Sequence, residues 1–429
     1  MKTLLQIRIM AMGLFIFLIA GNNLRAQENF VKHVNNPIFE GYDDGPSDVH
    51  SPVVIYDNGV YKMWFEGHGN LYDDSQIFYS ESENGITDWV ENDEPVISSG
   101  ENGDWNREKK PGSVIIVNDT IKMWYSASSD DFNFDMSIGY AKRHVNDTEW
   151  DILADPVLVK GEPGKWDETG VFYPVVYYDE DAADNEKYKM WYEGIEGSSV
   201  YDPDGIGYAT SADGIDWTKH NENPVIGLES GSYYDTWIIP TSVLFYEGEY
   251  HLYFTGWDGT GTSPWRYFTV GHATSTNGIE WYEISEDPVL DVGGVEGWDW
   301  RVARYSSVLF VDDTFKMWYE GLGSAYKIGY AEDLILGISD LNSTLTKQII
   351  IYPNPGKDDV KLTYHLSNQS KVSLEIYDQF GQLISVLVDE TKHAGEHEVI
   401  FESMELPSGI YFCVLKANDE TQTAKIVKL

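Results

Sequence analysis

Residues 61–67 read YKMWFEG, and the same heptad returns as IKMWYSA at 121–127, YKMWYEG at 188–194, YHLYFTG at 250–256 and FKMWYEG at 315–321. A recurrence every ~60 residues marks an architecture built from repeated supersecondary units. Each unit carries four β-signals in one order. In the third unit, VFYPVVYYD (171–179) is a run of β-branched and aromatic residues, KYKMWYEG (187–194) and GIGYATS (205–211) alternate, and ADGIDW (212–217) turns the chain toward a last strand ending at NPVIG (223–227). Asn58-Gly59 and Glu247-Gly248 separate first from second strands, and Asp213-Gly214 and Asn277-Gly278 separate third from fourth. Such pairs tolerate the positive φ of a two-residue hairpin. Five four-stranded meanders with almost no helix signal predict an all-β fold, a five-bladed β-propeller over 27–336.

An outer-strand signature closes each unit: NPIFE (36–40), EPVIS (94–98), DPVLV (155–159), NPVIG (223–227) and DPVLD (287–291). The last unit ends at KIGYAEDL (327–334) without one. Residues 36–40 are therefore expected to complete the fifth blade, so that the beginning of the chain closes the ring and no sheet edge is left open.

The ends of the chain are separate. A basic start, the apolar run MAMGLFIFLIAG (10–21) and the small Ala26 predict a signal peptide over 1–26, and no later apolar stretch is long enough to span a membrane. With 71 acidic against 29 basic residues the formal charge is −42, which excludes nucleic acid as a partner. The single Cys413 excludes an intrachain disulfide. Packing material is abundant instead, with 15 Trp, 29 Tyr and 17 Phe.

A linker is expected at 337–348, followed by a small β-sandwich at 349–429. The tail carries YPNP (352–355), IYDQFGQLI (376–384), LPSGIYF (406–412) and a terminal KIVKL. In that order these motifs resemble the type A C-terminal sorting domain of Bacteroidetes proteins exported by the type IX secretion system. The resemblance implies that machinery as a partner and a secreted or cell-surface location.

In a propeller, the starts of first strands and the ends of second strands meet on one face. Residues repeating in every blade serve packing there, and residues that break the repeat need another reason. By that rule the Glu of the heptad (Glu66, Glu193, Glu320) reads as structural. Aligning first strands on SPVV, GSVI, YPVV, TSVL and SSVL exposes SDVHS (47–51), EKKPG (108–112), TGVFY (169–173), WIIPT (237–241) and VARYS (302–306) as divergent. They offer Asp48, His50, Lys109, Lys110, Phe172, Tyr173, Trp237, Arg304 and Tyr305, with Glu168, Asp235, Asp299 and Arg301 farther out. His68, Asp130-Asp131, Glu196 and Trp257-Asp258 lie on second-strand exits. Aromatic faces, forked hydrogen-bonding groups and paired carboxyls suit a sugar ring and acid–base chemistry on it.

Residues 30–335 resemble the five-bladed glycosidase propellers of glycoside hydrolase families 43, 32, 68 and 130. The resemblance implies a glycoside hydrolase acting on plant or algal polysaccharide or oligosaccharide. The slots that hold the catalytic carboxyls in family 43 here hold Ser51, Gly112 and Phe172, so those roles do not carry over. Their displaced equivalents are expected in Asp48 as base or nucleophile, Glu168 as acid and His50 in place of one carboxyl. Lys110, Phe172, Tyr173, Trp237, Trp257, Asp258, Arg301 and Arg304 are expected to bind substrate. A glycan-binding propeller without turnover is the alternative, and so is a phosphorylase, which would need Lys110, Arg301 and Arg304 to converge on phosphate. The reading requires no cofactor. A structural calcium, on the acidic run DEDAADNE (179–186) or on the axis, is the one metal it allows, and the spacing identifies no ligands for it.

Overall fold

A computed structural model describes residues 30–428 except 42–45, 70–71, 91, 130–135, 198–202, 260–267, 283, 286, 295–296, 313, 335–344, 353–358, 367, 379–382, 402–405, 408 and 418–419. The signal peptide, Asp130-Asp131, most of YPNP and the first part of the expected linker lie outside the described residues. The chain divides into two compact units at Leu334/Ile335.

The N-terminal unit is all β. A short β1 (Val31–Lys32) precedes five antiparallel sheets laid down in sequence order. The first holds β2 (Asp48–Asp57), β3 (Val60–Gly69) and β4 (Tyr72–Ser82). The second holds β5 (Glu108–Val117), β6 (Thr120–Ser128), β7 (Ser137–His144) and β8 (Asp151–Ile152). The third holds β9 (Gly170–Tyr178), β10 (Tyr188–Ile195), β11 (Pro203–Ser211), β12 (Trp217–Lys219) and β13 (Ile226–Gly227). The fourth holds β14 (Trp237–Tyr246), β15 (Glu249–Trp257) and β16 (Thr269–Ser275), and the fifth β17 (Val302–Val311), β18 (Thr314–Leu322) and β19 (Tyr326–Leu334). Within every sheet the strands follow the meander expected from the repeat.

The heptads occupy the second strands, and their alternation follows the pleat. Trp64, Trp124, Trp191 and Trp318 are fully buried at one equivalent position, which Tyr253 takes in the fourth sheet. The two-residue hairpins between first and second strands are as expected, with Asn58 and Gly59 at φ 51° and 87° and Glu247 and Gly248 at 51° and 88°. The turns after the third strands differ from two-residue hairpins. Ser211 Oγ accepts from Asp213 N and Gly214 N, while Asp213 Oδ1 accepts from Ile215 N and Asp216 N, so local side-chain caps build a longer bend.

Each outer-strand signature pairs with the third strand before it, through Ile77↔Ile97, Ile138↔Leu158, Ile206↔Ile226 and Val270↔Leu290. Residues 31–39 do the same for the fifth sheet: Val31 and Lys32 pair with Glu332 and Ala331, and Phe39 bridges Ile328. Lys32 also reaches the buried Asp299 at 2.6 Å, as Lys219 of β12 reaches Asp167 at 2.5 Å in the third sheet. The first strands touch in cyclic order, β2 to β5, β9, β14, β17 and back to β2.

The C-terminal unit consists of β20 (Leu345–Tyr352), β21 (Val360–Leu366), β22 (Ser370–Asp378), β23 (Leu383–Lys392), β24 (Gly395–Phe401), β25 (Gly409–Ala417) and β26 (Glu420–Lys428). Sheets β20-β21-β24 and β23-β22-β25-β26 share one core that includes Leu362, Leu374, Ile376, Phe401 and the free, buried Cys413. β20 begins at Leu345, inside the stretch read as linker.

Candidate functional site

Strand pairing fixes which first-strand residues are equivalent. His50 faces Glu66, Lys110 faces Ser126, Phe172 faces Glu193, Ile239 faces Thr255 and Arg304 faces Glu320. A bulge follows each of these positions. It makes Ser51, Pro111, Tyr173, Pro240 and Tyr305 the next equivalent set, one residue out of step with the column alignment of SPVV and YPVV on GSVI, TSVL and SSVL.

The bulge has a cost that the second strands meet. Ser51, Tyr173 and Tyr305 hold φ of 48°, 45° and 49°, a strained left-handed conformation for residues with side chains. Their N–H groups leave the ladder and are taken by the heptad slot of the preceding sheet. Tyr173 N donates to Ser126 Oγ at 2.9 Å, Tyr305 N to Thr255 Oγ1 at 2.9 Å and Ser51 N to Glu320 Oε2 at 3.2 Å. In the second and fourth sheets the same position is Pro111 and Pro240, which carry no N–H. The slots preceding them hold Glu66 and Glu193, so two buried carboxyls are released from the structural duty of the other three.

Their surroundings push the two apart. Burial drives the Glu193 carboxyl up to about 8, against the opposing bond from Trp237 Nε1 at 2.7 Å. Glu66 is equally buried, but Lys110 at 3.1 Å, the imidazoles of His50 and His68 and the Ser75 hydroxyl at 2.6 Å outweigh that burial and hold it below the usual carboxylate value. Glu320 lies at about 2: burial acts to raise it and is overcome first by Arg304, whose Nε donates to Oε1 at 2.7 Å, and then by His50, whose Nδ1 meets Oε2 at 3.3 Å.

Aromatic rings surround this charge cluster. Tyr173 donates its hydroxyl to Tyr305 at 2.8 Å, with their rings stacked at 4.8 Å. The Arg304 guanidinium lies 4.4 Å from the Tyr305 ring, 5.1 Å from Phe268 and 5.6 Å from Tyr326. Burial and then the Glu66 carboxylate hold the Tyr173 phenol well above its ordinary value, and Arg304 and Glu193 act on it too, which places the three sheets' charges around one ring. Trp237, Trp257, Phe268 and Tyr305 form one buried aromatic group, with Tyr173 against it. A cavity of ≈ 20 Å³ is lined by Ser51, Pro111, Tyr173, Pro240 and Tyr305 among others, so all five first strands contribute. It has room for about one water.

Most of the expected residues meet here. Asp48 stands opposite His68, with Oδ1 accepting from Tyr326 N at 3.3 Å. His50 stacks on His68 at 4.8 Å. Lys110, Phe172, Tyr173, Trp237 and Arg304 occupy the positions just described, and Trp257 pairs across the strands with Trp237. Asp258 follows at the exit of β15, half-buried. Two residues behave differently. Glu168 turns back on its own loop, where Oε2 accepts from Gly164 N; Asp235 Oδ2 does the same for Gly231 N at 2.7 Å in the next sheet. Arg301 lies over the Trp300 ring at 4.4 Å. Glu66, Glu193 and Glu320 are the functional candidates that the repeat rule set aside. Among the described residues, no group of three or more His, Cys, Asp and Glu side chains is arranged to hold a metal ion.

Residues 350–429 match the family model of the secretion system C-terminal sorting domain. That segment directs export through the type IX system, so the protein is secreted or held at the cell surface. No curated protein sequence matches the chain. Solved structures do match its fold. A glycosyl hydrolase from Bacteroides ovatus shares 15% identity, with a TM-score of 0.56, 72% of this chain and 94% of that one covered. The β-1,2-mannobiose phosphorylase of Listeria innocua shares 13%, with a TM-score of 0.55 and coverage of 72% and 97%. A structure of family 130 hydrolases that target β-1,2-mannosidic linkages in Candida mannan shares 14%, with a TM-score of 0.56 and coverage of 72% and 94%.

Proposed function

We propose that the N-terminal unit is a closed five-bladed propeller that hydrolyses glycosidic bonds in oligosaccharides or polysaccharides outside the cell. The cyclic contacts of the five first strands, the cavity they share and the pairing of residues 31–39 with β19 support the blade count and the closure. The observation that carries the chemistry is the pair of carboxyls freed by Pro111 and Pro240. Glycoside hydrolysis needs one protonated and one ionised carboxyl, and two buried groups whose surroundings separate their proton affinities supply that division.

Glu193, protonated up to about pH 8, is the acid. It gives its proton to the glycosidic oxygen as the bond from that oxygen to the anomeric carbon breaks. Glu66, ionised beside Lys110, takes a proton from the water that adds to the anomeric carbon, or attacks that carbon itself, in which case water gives its proton to the now ionised Glu193 and displaces the Glu66 carboxylate from that carbon. The Tyr173, Tyr305 and Trp257 rings offer apolar faces to the sugar, and Asp48 and His50 offer acceptors for its hydroxyls.

Water rather than phosphate as the attacking group is supported by how the cations are used. Lys110 is paired with Glu66 and Arg304 with Glu320, and Arg301 covers Trp300. The test is a screen of oligosaccharides with and without phosphate on the parent, Glu193→Gln and Glu66→Gln proteins. Expected is sugar release that does not need phosphate and falls by a factor of at least ~10² in each variant, the usual size of an acid–base contribution. Binding without release on every substrate would select a glycan-binding module, and release only with phosphate a phosphorylase.

A further inference from the structure

Arg304, Glu320 and His50 form a chain that runs from the fifth sheet into the first. The Arg304 Nε bond takes Glu320 Oε1, and the remaining Oε2 accepts from Ser51 N while meeting His50 Nδ1 at 3.3 Å. An ionised carboxylate only accepts, so the proton between them belongs to Nδ1. In neutral His50 the other ring nitrogen is then a lone pair. That nitrogen, Nε2, is buried and has no hydrogen-bond partner among the described residues, on a side chain more than nine-tenths buried. The ring is held flat by His68 at 4.8 Å and by Tyr326 at 4.2 Å. The charged groups acting around it are Asp48 on its own strand, Glu66 and His68 on β3, Lys110 on β5, Arg304 on β17 and Glu320 on β18.

A buried acceptor left unmatched costs about as much as a lost hydrogen bond, so a fixed, unmatched one beside a candidate catalytic pair calls for a donor from the ligand. We propose that His50, oriented by Glu320 and Arg304, reads a sugar hydroxyl through Nε2, and that the site is therefore selective for neutral sugars over uronic acids and phosphorylated ones. Hydroxyls donate. Carboxylate and phosphate oxygens at neutral pH only accept, and at this position they would face a lone pair with Asp48 and Glu66 close by. A site built around such a contact discriminates strongly, because the wrong ligand leaves its polar group unpaired. Glu320 and Arg304 act here as positioning residues. The proposal rests on the carbohydrate reading above for the identity of its ligand, but not for the state of His50.

Two measurements on the full chain separate these dependencies. In protein labelled with ¹⁵N-histidine, with His50→Gln used to assign the signal, nitrogen–proton correlation at pH 8 reports the tautomer without any ligand. Expected is Nδ1–H in the parent and a loss of that preference in Glu320→Gln. An Nε2–H tautomer in the parent, or a ring protonated on both nitrogens, overturns the relay whether or not the variant folds. Calorimetry on Glu193→Gln protein then compares glucose, mannose, galactose and arabinose with glucuronate, galacturonate and inorganic phosphate. Expected is binding by at least one neutral sugar, tighter by ~10-fold or more than any anion, and weakened by ~10-fold when His50→Gln is added. Tighter binding of a uronate or phosphate, or an affinity unchanged by His50→Gln, overturns the selectivity. Binding by none of the sugars sinks the carbohydrate reading and this ligand with it, a result distinct from a failure of the tautomer.

Discussion

Trp237 Nε1 donates to Glu193 Oε1 at 2.7 Å across the boundary between the third and fourth sheets. The bond comes from the same strand whose Pro240 has no N–H to offer, so a side-chain donor stands where the first, third and fifth sheets use a backbone one. It also lowers the proton affinity that burial raises. Trp237→Phe removes the donor and keeps most of the packing. The Glu193 titration then moves upward from about 8. Infrared titration of the protonated carboxyl band, identified by its loss in Glu193→Gln, checks the shift, and a downward movement would contradict the geometry.

The same carboxyl governs stability on the alkaline side. Its value in the folded protein, about 8, lies above the ordinary 4.5, so the folded state holds the proton more tightly than the unfolded chain. That contribution is complete below the unfolded value and is lost as pH rises through about 8. Glu193→Gln stays uncharged at every pH. The urea midpoint of the parent is expected to fall between pH 7 and 9, and that of the variant to change much less over the same interval.

Glu320 works in the opposite sense. Its value of about 2 lies below the ordinary 4.5, so its contribution is present above the ordinary value and disappears as pH falls through about 2. Arg304→Met strands a fully buried carboxylate and is expected to cost about 3 to 5 kcal/mol at pH 7. Protonation of Glu320 relieves part of that penalty. Urea unfolding at pH 7 and pH 4 should therefore show a smaller gap between variant and parent at the lower pH.

What the sequence disclosed about the site followed from the kind of pattern each residue belongs to. The heptads and turn residues are local, and they announced the strands, their order and the return of Phe39 to Ile328. Asp48, His50, Lys110, Tyr173 and Arg304 stood out because they differ between units. Glu66, Glu193 and Glu320 were passed over because they recur, yet the recurrence was incomplete: Ser126 and Thr255 replace them in two units. The meaning of that pattern depends on the following units, where Tyr173 and Tyr305 offer their N–H groups to Ser126 and Thr255 while Pro111 and Pro240 have none to offer Glu66 and Glu193, a pairing across sheets that no single repeat displays. Glu168 is the converse case, a residue singled out that the structure ties to its own loop. Gly164 and Glu168 have the same spacing as Gly231 and Asp235, and both acids serve as loop acceptors.

Another relation across sheets concerns the heptad tryptophans. Trp318 Nε1 donates to Gly85 O at 2.7 Å, Trp124 Nε1 to Gly214 O at 2.7 Å and Trp191 Nε1 to Gly278 O at 2.8 Å, each reaching the turn after the third strand of the next sheet. Gly85 is required there, since at φ 73° a Cβ would also sit 2.8 Å from the Trp318 ring. The second sheet has VNDTEW where the first, third and fourth have this glycine turn, and Trp64 Nε1 is correspondingly buried without a hydrogen-bond partner among the described residues. The same substitution at two equivalent, fully buried positions should therefore differ in cost. Trp318→Phe removes packing and also leaves Gly85 O unpaired, whereas Trp64→Phe removes packing along with a donor that was unsatisfied. A difference of about 1 to 3 kcal/mol is expected, with Trp318→Phe the more destabilised. Chemical denaturation of the two variants measures it directly, and equal losses would mean that the indole-to-turn bond contributes nothing to holding adjacent sheets together.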